Sequence, residues 1–197
     1  MKGLIHFEPN SYYHIVNHAV GDENLFRTEE NCYFFLNKYS NYMPSVCDTL
    51  VYCLMPNHIH FLIKTHPEET LINHHKYKFD FHKLIMQELS NLLNSYAKAY
   101  NKLNKRKGAL WVDFTKRFLI DSDSYLTSTI NYIHQNRIKH GFVATAEDWK
   151  FSSFTSMISD KPTLLKRKEV INLFGSSQDF LEFHKNEPVI LIEELEF

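Results

Sequence analysis

The chain has 197 residues, a hydrophobic fraction of 44% and a charged fraction of 23%, which suits one globular domain with a sizeable core and excludes a disordered chain. A formal net charge of −1 argues against a protein that coats nucleic acid by charge alone. Cys32, Cys47 and Cys53 have no close spacing, which speaks against a disulfide framework or a thiolate zinc site, and the absence of a leader-like start or a bilayer-length apolar run predicts a cytoplasmic protein with no membrane partner.

Residues 11–20 read as a first strand, with Tyr13, Ile15 and Asn17 on one face and His14, Val16 and His18 on the other. Gly21-Asp22-Glu23-Asn24 reads as a turn, after which Thr28 caps a helix to about Tyr42, stopped by Pro44. Residues 48–54 form a second strand, and Pro56-Asn57 is a tight link into a third strand carrying His58-Ile59-His60-Phe61-Leu62-Ile63-Lys64, so these two strands are expected as an antiparallel hairpin. Residues 65–77 are polar and read as a loop. The spacing of Phe81, Leu84, Ile85, Leu89, Leu92, Leu93 and Tyr96 predicts a helix over 79–103, broken by Gly108. A fourth strand is expected over 111–120, then a helix over 125–138 capped from Asp121-Ser122-Asp123-Ser124 and ended by His140-Gly141. Short helices are expected near 168–174 and 178–184.

The order β-α-β-β-α-β-α predicts an α+β fold, a ferredoxin-like antiparallel sheet with helices packed on one face. The domain is drawn over 1–155, with a helical C-terminal extension over 156–197.

The third strand is the richest stretch. A period of two puts His58 and His60 on one face and Ile59, Phe61 and Ile63 on the other. Two imidazoles on a rigid strand make half of a metal site, although a bare His-x-His pair is more often structural. Tyr132 and Asn136, four apart, share one face of the last long helix. The Asn136 carboxamide oxygen could complete a site for a hard cation, Mg²⁺ or Mn²⁺, with Tyr132 one turn away. Tyrosine is a weak nucleophile at neutral pH, and a cation on a phosphate would make the phosphorus a better target.

At this point the chain resembles a family. Cys53-Leu54-Met55-Pro56-Asn57-His58-Ile59-His60 is similar to the "VMPNHvH" segment of single-tyrosine HUH transposases, in particular the REP-associated tyrosine transposases and their insertion-sequence relatives. Tyr13-His14-Ile15-Val16-Asn17 resembles their opening "YHVxxR" strand, with His18 at the basic position. Residues 131–141 resemble their "YIHxNPVxxG" helix, with Arg137 in place of proline, and residues 148–154 resemble "DWxxSSY". The resemblance implies the HUH endonuclease fold, His58 and His60 as metal ligands, Asn136 assisting at the metal, and Tyr132 as nucleophile. It implies a 5′-phosphotyrosine link formed on single-stranded DNA with hairpin structure, by a dimer or a monomer.

Lys105, Arg106, Lys107, Lys116, Arg117 and Arg137 are the candidate phosphate contacts; the commoner meaning of such a run is a solvated surface. Trp149 and Phe154 are expected to seal the C-terminal segment onto the core. Two rival readings are a hairpin-binding protein of this fold that no longer cleaves, and a metal hydrolase that uses water instead of tyrosine.

Overall fold

A computed structural model describes residues 5–74, 76–77, 80–139 and 145–186, with the side chains of 137–139 outside the description. Four strands, β1 Tyr12–His18, β2 Cys47–Leu54, β3 His58–Thr65 and β4 Lys116–Ile120, form one sheet in the order β2-β3-β1-β4. All neighbours are antiparallel. This is the ferredoxin-like order expected from the sequence. The β2–β3 hairpin closes where the Met55 N–H donates to the His58 carbonyl at 2.8 Å, leaving only Pro56 and Asn57 in the turn.

Helices α1 (Glu29–Tyr42) and α3 (Phe81–Leu103) cover one face, separated by a single turn, α2 (Glu68–Leu71), within the stretch expected to be loop. Asn31 Oδ1 accepts the Thr28 N–H at 3.3 Å to fix the start of α1, and Asp80 Oδ1 accepts the Lys83 N–H at 2.9 Å to start α3. The apolar stripe of α3 meets Tyr13, Ile15, Ile59, Phe61 and Ile63 from the sheet. At its centre Phe61 is stacked on Tyr39, ring centroids 4.2 Å apart.

The remaining long helix, α4 (Asp123–Lys139), packs on the opposite face, against β2 and β3. The sheet is therefore covered on both faces, α1 and α3 on one and α4 on the other, where the sequence reading packed the helices on one face; the second apolar surface, with Leu50 and Leu62 buried, requires that cover. Three short helices complete the second layer: α5 (Phe154–Met157), α6 (Arg167–Phe174) and α7 (Ser177–Phe183). Val170 of α6 and Phe180 of α7 join Leu62, Ile130 and Ile133 in a second core, so residues beyond 155 pack directly on the helix that follows β4.

The fourth strand is shorter than expected. Trp111 makes only an isolated bridge to Ala19, and its Nε1–H donates to the Leu93 carbonyl under α3 at 3.0 Å. Val112 N–H still donates to His18 O at 3.0 Å, but regular pairing of β1 with β4 begins only at Lys116. On the far side, the Trp149–Ser153 segment lies along the outer edge of β2. Leu54 N–H donates to Phe151 O at 3.0 Å, and Ser153 N–H donates to Tyr52 O at 2.9 Å. An edge strand is covered in this way. Trp149 Nε1–H donates to Leu54 O at 2.9 Å and Phe154 is buried, so both seal this segment to the core as expected. The expected end of α4 at His140-Gly141 lies outside the described residues.

Candidate active site

The α4 face of the sheet presents alternate residues of β1 and β3. His18 stands directly opposite His58, their rings stacked 4.4 Å apart, and Val16 stands opposite His60. His14 lies diagonally from His60, and its Nε2 is 3.0 Å from His60 Nδ1. From α4, the Asn136 Nδ2 group reaches His60 Nε2 at 3.2 Å. Tyr132, one turn back, sets its ring perpendicular to His60 with centroids 5.7 Å apart, and edge-on to His14 at 6.0 Å. The histidine pair, Tyr132 and Asn136 are thus brought together by one strand and one helix of the same chain.

The cluster is enclosed: His58 is 7% exposed, Tyr132 2%, and His60 and Asn136 1% each. Burial holds the His14 imidazole down to about 3, so it is neutral at any ordinary pH. His58 Nδ1 lies 2.8 Å from Asn57 Oδ1. Since that oxygen only accepts, His58 carries a proton on Nδ1.

Among the described residues, no three His, Cys, Asp or Glu side chains are grouped to hold a metal. Asn136 Oδ1, however, is buried without a hydrogen-bond partner beside His60. Two imidazoles and an orphaned carboxamide oxygen fit a divalent ion that retains open positions.

The candidate phosphate contacts divide. Lys116 pairs with Val16 and so belongs to the site face. Lys105 and Lys107 are exposed in the turn after α3. Arg106 is held by Glu23 Oε2 at 2.8 Å, at the turn that follows β1. Arg117 is a correction: it pairs with Ile15, points to the opposite face, and is 7% exposed. There its Nε–H donates to Ile5 O at 2.9 Å and its guanidinium lies over Phe7, so it serves the core and not a DNA surface. The side chain of Arg137 lies outside the description. An open cleft of about 400 Å³ beside the hairpin turn is lined by Phe26, Arg27, Met55, Pro56, Trp149 and Lys150, among others, and by none of the site histidines.

From sequence, His134 points away from the Tyr132 face and reads as structural or DNA-facing; the structure makes it structural. It is fully buried, with Nδ1 2.9 Å from His184 Nε2 and Nε2 2.9 Å from Ser153 Oγ. It ties α4 to α7 and to the β2 edge segment. Its place three residues from Asn131, on the side of α4 away from Tyr132, was the available signal.

A ferredoxin-like sheet thus sets a His-x-His strand against a helix that carries a tyrosine and an asparagine four apart. No family model matches the chain. A protein of Haemophilus influenzae named as a REP-associated tyrosine transposase is 28% identical over 135 residues, which span 65% of this chain and 73% of that protein. A solved structure of a REP-associated tyrosine transposase bound to a REP hairpin matches with a TM-score of 0.61 at 13% identity, over 82% of this chain and 88% of that one. Sequence and fold together bear out the resemblance to the REP-associated tyrosine transposases. Among the described residues no helix is long and apolar enough to cross a membrane.

Proposed function

We propose that this protein is a metal-dependent DNA strand transferase that cleaves and rejoins hairpin-bearing single-stranded DNA through a 5′-phosphotyrosine intermediate. The observation that carries this reading is the convergence of Tyr132 and Asn136 on His60 within one chain. Tyr132 Oη attacks a backbone phosphorus and loses its proton. The bond from phosphorus to the 3′-oxygen breaks, and that oxygen takes up a proton and leaves as a 3′-hydroxyl. The reverse attack by a 3′-hydroxyl rejoins the strand, so no external energy source is needed. His58, His60 and Asn136 would hold the cation, Mg²⁺ or Mn²⁺, whose charge polarises the phosphate when bound. Lys105, Lys107 and Lys116 supply the positive charge available at this end of the sheet. Because every member belongs to one chain, a monomer suffices.

The enclosure of Tyr132 favours one alternative, a hairpin-binding protein of the same fold that does not cleave. A denaturing gel separates the two. Labelled single-stranded DNA copied from the flanks of the protein's own gene is incubated with Mn²⁺. A slow covalent species that disappears with chelator and in Tyr132→Phe is expected. Hairpin retention in a native gel with no adduct from the unaltered protein would establish the binding protein instead. Release of a 3′-end without any adduct would indicate water as the nucleophile.

A further inference from the structure

We propose that His14 is a positioning residue: it accepts the Nδ1 proton of His60 and thereby fixes the His60 Nε2 lone pair toward Asn136, as Asn57 does for His58. This rests on the metal-site reading above for its purpose, but not for its test. Asn136 Nδ2 can only donate, so His60 Nε2 must accept at that contact of 3.2 Å. The one remaining proton of a neutral His60 then lies on Nδ1, which is 3.0 Å from His14 Nε2. His14 Nε2 must therefore accept, and the His14 proton lies on Nδ1.

His14 Nδ1 is buried without a hydrogen-bond partner. Among the described residues, His14 makes its side-chain hydrogen bond to His60, from a ring that is 0% exposed. Packing alone would be served better by an apolar residue at this place against Phe118 and Tyr132. A buried polar ring with a single bond, made to the back of a candidate ligand, is what an outer-shell acceptor requires. The same logic accounts for the residue before the histidine pair: Asn57 Oδ1 lies 2.8 Å from His58 Nδ1 in the hairpin turn. Strand β1 and the turn thus supply two independent acceptors that give both histidines the same tautomer. An unconstrained neutral imidazole prefers its proton on Nε2, so the arrangement is a measurable departure.

The test is nitrogen NMR on metal-free, full-length protein with labelled histidine, paired with Mn²⁺ titration by calorimetry. The unaltered protein should show His58 and His60 protonated at Nδ1. His14→Phe should move His60 toward the Nε2–H form and weaken Mn²⁺ binding about 10–100-fold. Asn57→Leu, at the half-exposed turn, should do the same for His58, and it keeps the proposal testable if the core variant does not fold. His14→Gln, which restores an acceptor, should recover most of the affinity. Protonation of His60 at Nε2 in the unaltered protein, or unchanged tautomers in both apolar variants, would overturn the proposal. Tautomers that respond as stated in a protein that forms no DNA adduct would leave positioning intact and remove the strand-transfer reading.

Discussion

At the scale of single residues, Asn136 shows how a site can cost the fold something while serving a ligand. Its Oδ1 is buried and unpartnered, a loss of roughly 1–3 kcal/mol for a polar group taken out of water. Asn136→Leu removes that orphan together with the bond to His60, so the metal-free melting temperature should change little. The response to metal should change a great deal. At a Mn²⁺ concentration of 100 times Kd, the unaltered protein should gain about 2.7 kcal/mol of stability. A variant that binds tenfold or more weakly should gain about 1.4 kcal/mol or less at the same concentration. Thermal melts with and without Mn²⁺ check this, and an equal metal-induced shift in both proteins would remove Asn136 from the ligand set. Asn136, Tyr132, His58 and His60 were legible because periodicity alone places each pair on one face. The same rule, applied to the basic residues, separates Lys116 from Arg117, which are adjacent in sequence and therefore on opposite faces of β4. Reading them as one cluster overlooked that alternation.

At the scale of elements, α4 is held from both sides. One face presents Tyr132 and Asn136 to the sheet. On another side Asn131 Nδ2 donates to Asn186 O at 3.1 Å, Gln135 Nε2 donates to His184 O at 2.7 Å, and His134 pairs with His184. Burial drives the His134 imidazole well below the usual histidine value and holds His184 at about 4, although the Phe180 carbonyl and Glu147 oppose the latter shift. Both are neutral when folded at neutral pH. In the unfolded chain they titrate near 6.5, so below that pH the unfolded state binds more protons and gains on the folded one. Their contribution is complete above pH 6.5 and is lost as pH falls toward 4. The loss should approach about 1.4 kcal/mol per pH unit for each histidine. Denaturant unfolding across pH 7 to 4 reads the slope, and hydrogen exchange should show α7 opening early. His184→Gln should flatten the curve; an unchanged curve would place the acid sensitivity elsewhere. The elements themselves were largely legible, since strands, hairpin and long helices follow from period and punctuation. The second layer was not. Which face α4 takes, and the docking of α6 and α7 on it, depend on contacts between residues 50 positions apart, such as His134 and His184, that no local pattern encodes. Trp111, expected within the fourth strand, likewise answers to a distant partner, the carbonyl of Leu93.

At the scale of the whole molecule, the proposed DNA interaction must be reconciled with a net charge of −1. A protein of this charge has no large positive field to steer a polyanion, so its grip on phosphate has to be local. The structure narrows the local set further, because Arg117 is buried away from the site and Arg106 is tied to Glu23, a carboxylate it shares with Arg27. Of the candidate contacts, Lys105 and Lys107 are exposed and Lys116 stands on the site face of β4, and these three are taken as the phosphate contacts. Each phosphate contact lowers log K by roughly 0.7–0.9 per unit of log salt, with the smaller figure for single strands. Three contacts predict a slope between about −2 and −3, well short of the steep dependence of strongly basic DNA-binding proteins. Titration of a labelled hairpin from low to moderate salt measures it. Lys105→Ala, Lys107→Ala and Lys116→Ala should each reduce the magnitude of the slope by about 1, and Arg117→Met should leave it unchanged. A slope far steeper than −3 would mean that phosphate is held by another surface. In that case the weak overall charge would conceal a second basic face, and the surface around Lys105, Lys107 and Lys116 would not be where the hairpin sits.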